Sequence, residues 1–442
     1  MRFWLGFAIS LLTLLGVSTA AHARPNILVV MTDDQAANGT MSVMPRTTRL
    51  IGDRGTTFLE AHATTPSCCP SRASFFTGRY VHNHGVRSNT ASARLAQHTT
   101  VQHFLQRKGY RTALFGKYLN GWPFGRALPD FDDYAHTTPQ YSGASWNQNG
   151  RIWRNVQRYS TDVISELAVD FITRSERKDR KPWLAWLTPL APHYPSTPAP
   201  RHQDESLPPV PETPAFAETN VLDKPPFLDN ARGFPGMIET VRDDGRRSLM
   251  AVDEMVGRVV KTLKRKRELG KTLIVFTSDN GLLLGEHGGV AGKDLPYREA
   301  TQIPMLVRWD GHLEPGSVRR DLVSNVDVGT TIFKVAGVGR RTDGKSLFSD
   351  ARRSQLFLEH FGAATEEGDV VLSPWNALRT PSFLYAEYRD PRTNALSFRE
   401  YYDLTTDPWE NENRAVTLLP ARAAELSATL KRLSSCEKRS CP

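Results

Sequence analysis

The chain has 442 residues, of which 39% are apolar and 23% charged. That composition excludes a disordered or fibrous chain, and the length suits one large domain with a smaller appendage. The formal charge of +9 fits an anionic partner such as a sulfated glycan or nucleic acid, although a positive surface of this size also serves solubility alone.

In chain order, the first segment is Arg2, an apolar run over 3–17, and Ala21-His22-Ala23. A basic start, a short apolar stretch and an A-x-A site read as a secretory signal peptide over 1–23, with an uncleaved anchor as the alternative. The run is short for a membrane span, and no later stretch is apolar enough for stable membrane insertion. The expected location is exported, either periplasmic or secreted.

A near-continuous apolar run over 26–32 then predicts a strand buried on both faces, as in parallel sheets. It ends in Asp33-Asp34. Further strands are expected at 112–115, 183–188, 272–277 and 304–309. Val163, Ile164, Leu167, Phe171 and Ile172 recur at helical spacing, as do Leu249, Val252, Val256, Val259, Val260 and Leu263. The basic run 264–267 closes the second helix, where positive charge complements the helix dipole. A Pro-rich, polar excursion over 202–235 reads as a surface segment on a substrate rim.

Beyond residue 344 the pattern changes to strands at 383–388 and 397–403 and a helix at 420–433. The expected architecture is α/β: a large central mixed, mostly parallel sheet flanked by helices, in a catalytic domain over 24–344. A smaller C-terminal α+β subdomain covers 345–442. Cys436 and Cys441 are close enough to close a small disulfide loop, whereas the adjacent Cys68 and Cys69 are poorly placed to bridge each other.

Three groups carry candidate chemistry. The first is Cys68-Cys69-Pro70-Ser71-Arg72, followed by Thr77-Gly78-Arg79. Pro70 suits the first turn of a helix, which puts Cys68 at an N-terminus where backbone N–H groups favour anions. The bland alternative is a buried, inert thiol. The second is Asp33-Asp34 with Asp279-Asn280-Gly281, both at the ends of expected strands. Ligands of open α/β sheets bind there, and carboxylates with an amide oxygen suit Ca²⁺ or Mg²⁺. Taken singly, these would be a helix cap and a turn. The third is Lys117, His193 and Lys293, each of which alone could be an ordinary surface lysine or core histidine.

Together these residues resemble the type I sulfatases of the alkaline phosphatase superfamily. The resemblance implies that Cys68 is oxidised to formylglycine by a separate formylglycine-generating or anaerobic sulfatase-maturating enzyme. It implies a calcium ion, with magnesium possible, held by Asp33, Asp34, Asp279, Asn280 and residue 68. Lys117 and Lys293 would hold sulfate oxygens, His193 would face the scissile ester, and Arg72 and Arg79 would orient the formylglycine. Tyr402-Asp403-Leu404 with Asp407-Pro408 extends the likeness towards the C-terminus.

Within the family, Cys68 to Ser74, His82-Asn83-His84, Gly116 to Asn120 and Ala191-Pro192-His193 resemble the N-acetylglucosamine-6-sulfatases. Many arylsulfatases have a histidine where this chain has Leu119, which leaves His84 or Asn120 as alternative contacts of the formylglycine. The expected substrate is a sulfated glycan or small sulfate ester, with no nucleic acid partner. The competing readings are a phosphatase, phosphodiesterase or phosphonate monoester hydrolase of the same superfamily, and a non-catalytic glycan-binding protein.

Overall fold

The computed structural model describes residues 24–177, 181–362 and 372–442; the signal-peptide reading lies outside them. The strands in chain order are β1 (Asn26–Thr32), β2 (Thr56–His62), β3 (Arg111–Gly116), β4 (Asp133–Thr137), β5 (Ala144–Gln148), β6 (Arg151–Val156), β7 (Trp183–Thr188) and β8 (Thr272–Ser278). They continue as β9 (Leu283–Leu284), β10 (Ala291–Gly292), β11 (Met305–Arg308), β12 (Ser317–Ser324), β13 (Leu356–His360), β14 (Trp375–Arg379), β15 (Phe383–Arg389) and β16 (Leu396–Asp403).

Ten of them form one sheet in the order β12-β2-β11-β8-β1-β7-β3-β4-β5-β6. The centre, β8-β1-β7-β3-β4, is parallel throughout, as is the pair β12-β2. β11 is inserted antiparallel between β2 and β8, and β5 and β6 are added antiparallel at the far edge. The sheet is therefore mixed and mostly parallel.

Every residue of β1 is buried, because helices cover both faces. Ile27, Val29 and Met31 pack against Ala73, Phe75 and Phe76 of the helix Cys68–Thr77 and against Val328 and Ile332 of the helix Asn325–Val335. Leu28 and Val30 face the opposite way. They join Ile164 and Phe171 of the helix Ser160–Ser175 and Leu249, Val252 and Val256 of the helix Pro235–Lys266. This alternation follows from the two-residue period of a strand. Each large apolar side chain so buried contributes about 1.5–3 kcal/mol.

The long helix starts at Pro235, well before the periodic leucines and valines that announce it, and ends with Arg267 in the left-handed conformation. The Pro-rich excursion before it holds only the short turns Pro200–His202 and Pro226–Ala231.

β13 to β16 form a separate antiparallel sheet. The helix Pro420–Leu433 and the Cys436–Cys441 disulfide pack on it in one cluster with Phe357 and Tyr385. Its other face shares a core with the large unit: Leu283, Tyr297 and Leu322 pack with Leu356, Trp375 and Tyr402. The buried Glu400 accepts hydrogen bonds from Tyr297, Tyr388 and Tyr402 at 2.5–2.7 Å. Lys224 of the excursion is buried at the same junction, where its ammonium donates to the Tyr402 hydroxyl and the Glu410 carbonyl.

Candidate active site

The site lies at the carboxyl ends of β1, β8, β3 and β7. β1 and β8 pair in parallel with Thr32 beside Ser278, so the next residues of each, Asp33-Asp34 and Asp279-Asn280, emerge together. The Asp34 N–H donates to Asp279 Oδ1 (3.0 Å), and Asn280 Nδ2 donates to Asp34 Oδ1 (2.7 Å). Gly281 follows because a Cβ there would sit 2.0 Å from the Glu299 carbonyl oxygen.

The same constraint acts at Gly116, at the end of β3, where a Cβ would lie 2.1 Å from the Thr188 carbonyl oxygen. That close approach, continued by the bond from Lys117 N–H to the same carbonyl, turns Lys117 into the site.

Cys68 opens the helix Cys68–Thr77, so Pro70 does lie in its first turn, although the helix starts two residues before it. The thiol is buried and is met at 2.7 Å by Lys293 Nζ. Asp33 Oδ1 and Asp34 Oδ1 lie 3.4 and 3.6 Å away. The lysines each take one acid: Lys117 Nζ lies 2.6 Å from Asp33 Oδ2, and Lys293 Nζ 2.5 Å from Asp34 Oδ1.

Arg72, one turn along the helix and wholly buried, donates from Nε to Asp279 Oδ2 (2.7 Å) and from a terminal nitrogen to the Lys117 carbonyl (2.8 Å). Ser71 Oγ donates to the Asp279 carbonyl and accepts from Asn325 Nδ2. Asn325 is a contact that sequence reading missed; its only signal is a polar residue directly after β12.

His193 stands at the open side. Its side chain is 30% exposed, with Nε2 3.7 Å from Asp34 Oδ2 and Nδ1 2.5 Å from the Tyr194 carbonyl. One candidate ligand atom from each of Asp33, Asp34, Cys68 and His193 lies within 4.8 Å of the others.

Burial alone would raise the Asp33 and Asp34 carboxyls. Lys117, His193 and Arg72 around Asp33, and Lys293 and His193 around Asp34, hold both below the usual range. Burial would lower Lys117 and Lys293, but the same acids hold them protonated. The Cys68 thiol goes the other way: burial drives it well above its usual value despite the two lysines. As a cysteine, position 68 is therefore an un-ionised thiol and a poor nucleophile.

The donors fit a hard cation. Asp33, Asp34 and Asn280 offer oxygens, and Asn280 Oδ1 is buried without a hydrogen-bond partner. Asp279 is already held by Arg72 and by the N–H groups of Asp34 and Asn280.

Three candidates lie elsewhere. Arg79 follows the end of the catalytic helix, roughly 15 Å along its axis from Cys68, with its guanidinium on Glu437 (3.3 Å) and Asp343 (4.0 Å). The expectation that it orients residue 68 is corrected by that helix length. His84 is buried, with hydrogen bonds to Ser74 Oγ and the Val86 N–H, and burial holds its pKa down at about 3. Asn120 meets the neighbouring cysteine instead: its carbonyl accepts from Cys69 Sγ at 3.8 Å. Cys69 is free and buried.

Beside Asp34 opens a cavity lined by Val210, Pro211 and Phe216 of the excursion and by Arg242 and Arg246 of the long helix.

Residues 25–338 match the family described as Sulfatase. The chain belongs to the sulfatase family. Residues 285–435 also match the C-terminal region of N-sulphoglucosamine sulphohydrolase. The sulfatase is 30% identical to the N-acetylglucosamine-6-sulfatase of Capra hircus, over 97% of this chain and 87% of that one. It is 33% identical to an extracellular sulfatase SULF-1 homolog of Drosophila melanogaster, over 75% of this chain but only 31% of that longer protein.

Among solved structures it resembles a protein in complex with its substrate D-glucosamine-2-N,6-O-disulfate (TM-score 0.76, 24% identity, 92% of this chain and 97% of that one). It also resembles the phosphonate monoester hydrolase of Agrobacterium radiobacter (TM-score 0.71, 21% identity, 93% and 95%). The sulfatase is thus a sulfuric ester hydrolase on the alkaline-phosphatase-like fold of its structural neighbours, a mixed central sheet with a small C-terminal antiparallel sheet. No helix among the described residues is long and apolar enough to cross a membrane.

Proposed function

We propose that this sulfatase removes a sulfate ester from a sulfated carbohydrate resembling N-acetylglucosamine-6-sulfate, using a formylglycine made from Cys68 and a bound divalent cation, calcium in the first instance. The observation that carries the reading is the placement of Cys68. A neutral, buried thiol stands where two protonated lysines, two ionised carboxylates and a helix N-terminus converge. Such a setting suits an oxygen nucleophile and a transferring anion far better than it suits a thiol. The likeness to an N-acetylglucosamine-6-sulfatase, over 97% of this chain and 87% of that one, supports the carbohydrate.

A hydrated formylglycine at position 68 would supply the attacking oxygen, and a cation held by Asp33, Asp34 and Asn280 would add positive charge beside it. The chain's own residues do the rest. Lys117 and Lys293, fixed by their carboxylates, face the sulfate and offset charge that grows on its oxygens. Arg72 carries no substrate; it locks Asp279 and, through the Lys117 carbonyl, the turn that presents Lys117. His193 Nδ1 faces the Tyr194 carbonyl, which requires a proton on that nitrogen, so the ring would give the departing alcohol a proton from Nε2 only when both nitrogens are protonated, returning to the Nδ1–H form. A sugar alcohol is a poor leaving group, so this proton matters more than it would for a phenol. The catalytic unit is 24–344, with 345–442 as its subdomain. The chain is exported after removal of residues 1–23, and a separate maturing enzyme oxidises Cys68.

The test joins mass spectrometry of the peptide containing Cys68, from a host that matures a control sulfatase, to rates on glucosamine-6-sulfate, an aryl sulfate and an aryl phosphonate. The expected result is an aldehyde at position 68 and fastest turnover of the sugar sulfate. An intact thiol, or faster hydrolysis of the phosphonate, overturns the reading.

A further inference from the structure

Where the catalytic helix ends, cations collect for which the reaction has no use. Gly78 caps the helix with φ of 64°. The chain then sends Arg79 into an open surface groove of about 600 Å³, lined also by Phe104, Arg340, Arg341, Glu437 and Lys438. The nearby acids are already committed. Glu437 Oε1 meets both Arg79 (3.3 Å) and Lys438 (2.9 Å). Asp343 is buried, and its oxygens accept from the backbone N–H groups of Tyr80 and Lys438 and from the Asn83 amide.

Arg340 and Arg341 have no ion-pair partner among the described residues. The Arg340 guanidinium lies over the Phe104 ring at 4.7 Å, with Nε buried and without a hydrogen-bond partner. Burial and the neighbouring Arg79 disfavour its charge. A guanidinium stacked on a ring, with unspent donors and an unbalanced charge, is preorganised for a planar face of a sulfate or carboxylate.

We propose that this groove is an exosite that holds a second anionic group of a polymeric sulfated glycan while another unit of the same polymer is at Cys68. The proposal rests on the glycan reading above. It deepens that reading because the groove and Cys68 lie at opposite ends of one buried helix, at least roughly 15 Å apart, so that one occupant of both must be a chain long enough to pass around the surface. A monosaccharide cannot touch both, whereas a polymer held at the groove raises its own effective concentration at the catalytic end.

The experiment compares salt elution from immobilised heparin for the full chain, for Arg341→Glu, and for Arg340→Ala with Arg341→Ala. A control, Arg151→Ala with Arg154→Ala, removes the same charge as the double variant from the exposed strand β6. Arg341 is exposed, so its variant tests the groove even if loss of the Arg340 stacking disturbs folding.

The groove variants are expected to elute at lower salt than the control, with a several-fold weaker heparin Kd. The ratio of kcat/KM for polymer to that for monosaccharide sulfate should fall several-fold. Elution with the parent, or an equal loss in the control, overturns the exosite. So does tighter binding of a DNA duplex than of heparin at matched ionic strength, or release by inorganic sulfate no better than expected of its ionic strength combined with equal release by it from the groove variants. Should no sulfate ester be hydrolysed, the glycan-hydrolase reading falls, while the elution comparison still decides the groove.

Discussion

Cys68 shows how position, more than residue type, decides chemistry. Its sulfur touches Lys293 and lies close to Asp33 and Asp34, three contacts drawn from distant parts of the chain. Cys68→Ala removes the oxidisable side chain but only one buried heavy atom, so the expected cost to stability is about 1 kcal/mol. Turnover of an aryl sulfate should drop to background while the thermal midpoint moves by no more than a few degrees. Retained turnover with an intact fold would show that position 68 is not the nucleophile.

The segment 68–72, Asp33-Asp34, Asp279-Asn280, Lys117, His193 and Lys293 could be singled out in the sequence, and the structure brings them together because strand ends and a helix start fix where such groups emerge. Arg79 and His84, expected from the family resemblance to serve residue 68, make their contacts elsewhere. The ten-residue helix separates Arg79 from Cys68 and leaves it on Glu437, while His84 folds back onto Ser74.

At the scale of elements, the site depends on two strand ends held in register. β1 and β8 deliver Asp33, Asp34, Asp279 and Asn280 to one spot, where Arg72 and the two lysines pair with the acids and the Asn280 oxygen is left unpartnered. A cation bound there stabilises the folded state alone. Chelation is therefore expected to lower both the thermal midpoint and turnover, and calcium to restore both. The stabilisation reaches about 2.7 kcal/mol when the ion is at a hundred times its Kd. A midpoint that ignores both chelator and calcium would count against a cation at the strand ends, whatever the activity does.

The same strands were easy to find because burial on both faces writes an unbroken apolar run. β2 was not, since its exposure alternates, and β6, whose residues are almost all exposed, carries no apolar signature at all. The long helix was recognised only from residue 249 because its first turns, lying along the excursion, need no apolar stripe.

At the scale of the whole molecule, the two sheets behave as one body. His287 lies at the junction with Glu218 of the excursion at 2.7 Å and Glu299 at 3.5 Å, and its ring packs on Tyr297, which reaches Glu400 of the small sheet. Burial would lower its pKa, but the hydrogen bond to Glu218 and the nearby Glu299 carboxylate raise it to about 9. A raised pKa means that the folded state holds the proton more tightly than the unfolded chain. The contribution is complete below the ordinary histidine value near pH 6.5 and is lost as pH rises to about 9. It amounts to about 3 kcal/mol. The thermal midpoint should fall across that window, and His287→Gln, less stable throughout, should flatten the slope. An unchanged slope would place the pH sensitivity elsewhere.

That same closure has a consequence for time. Only 1% of the Cys68 surface remains exposed, and the lid over it is made of residues that meet only when β1, β8 and the segment carrying Lys293 have come together. On the proposed function, a separate enzyme would have to oxidise residue 68 before these segments close over it, so a chain that folds first would remain a thiol protein.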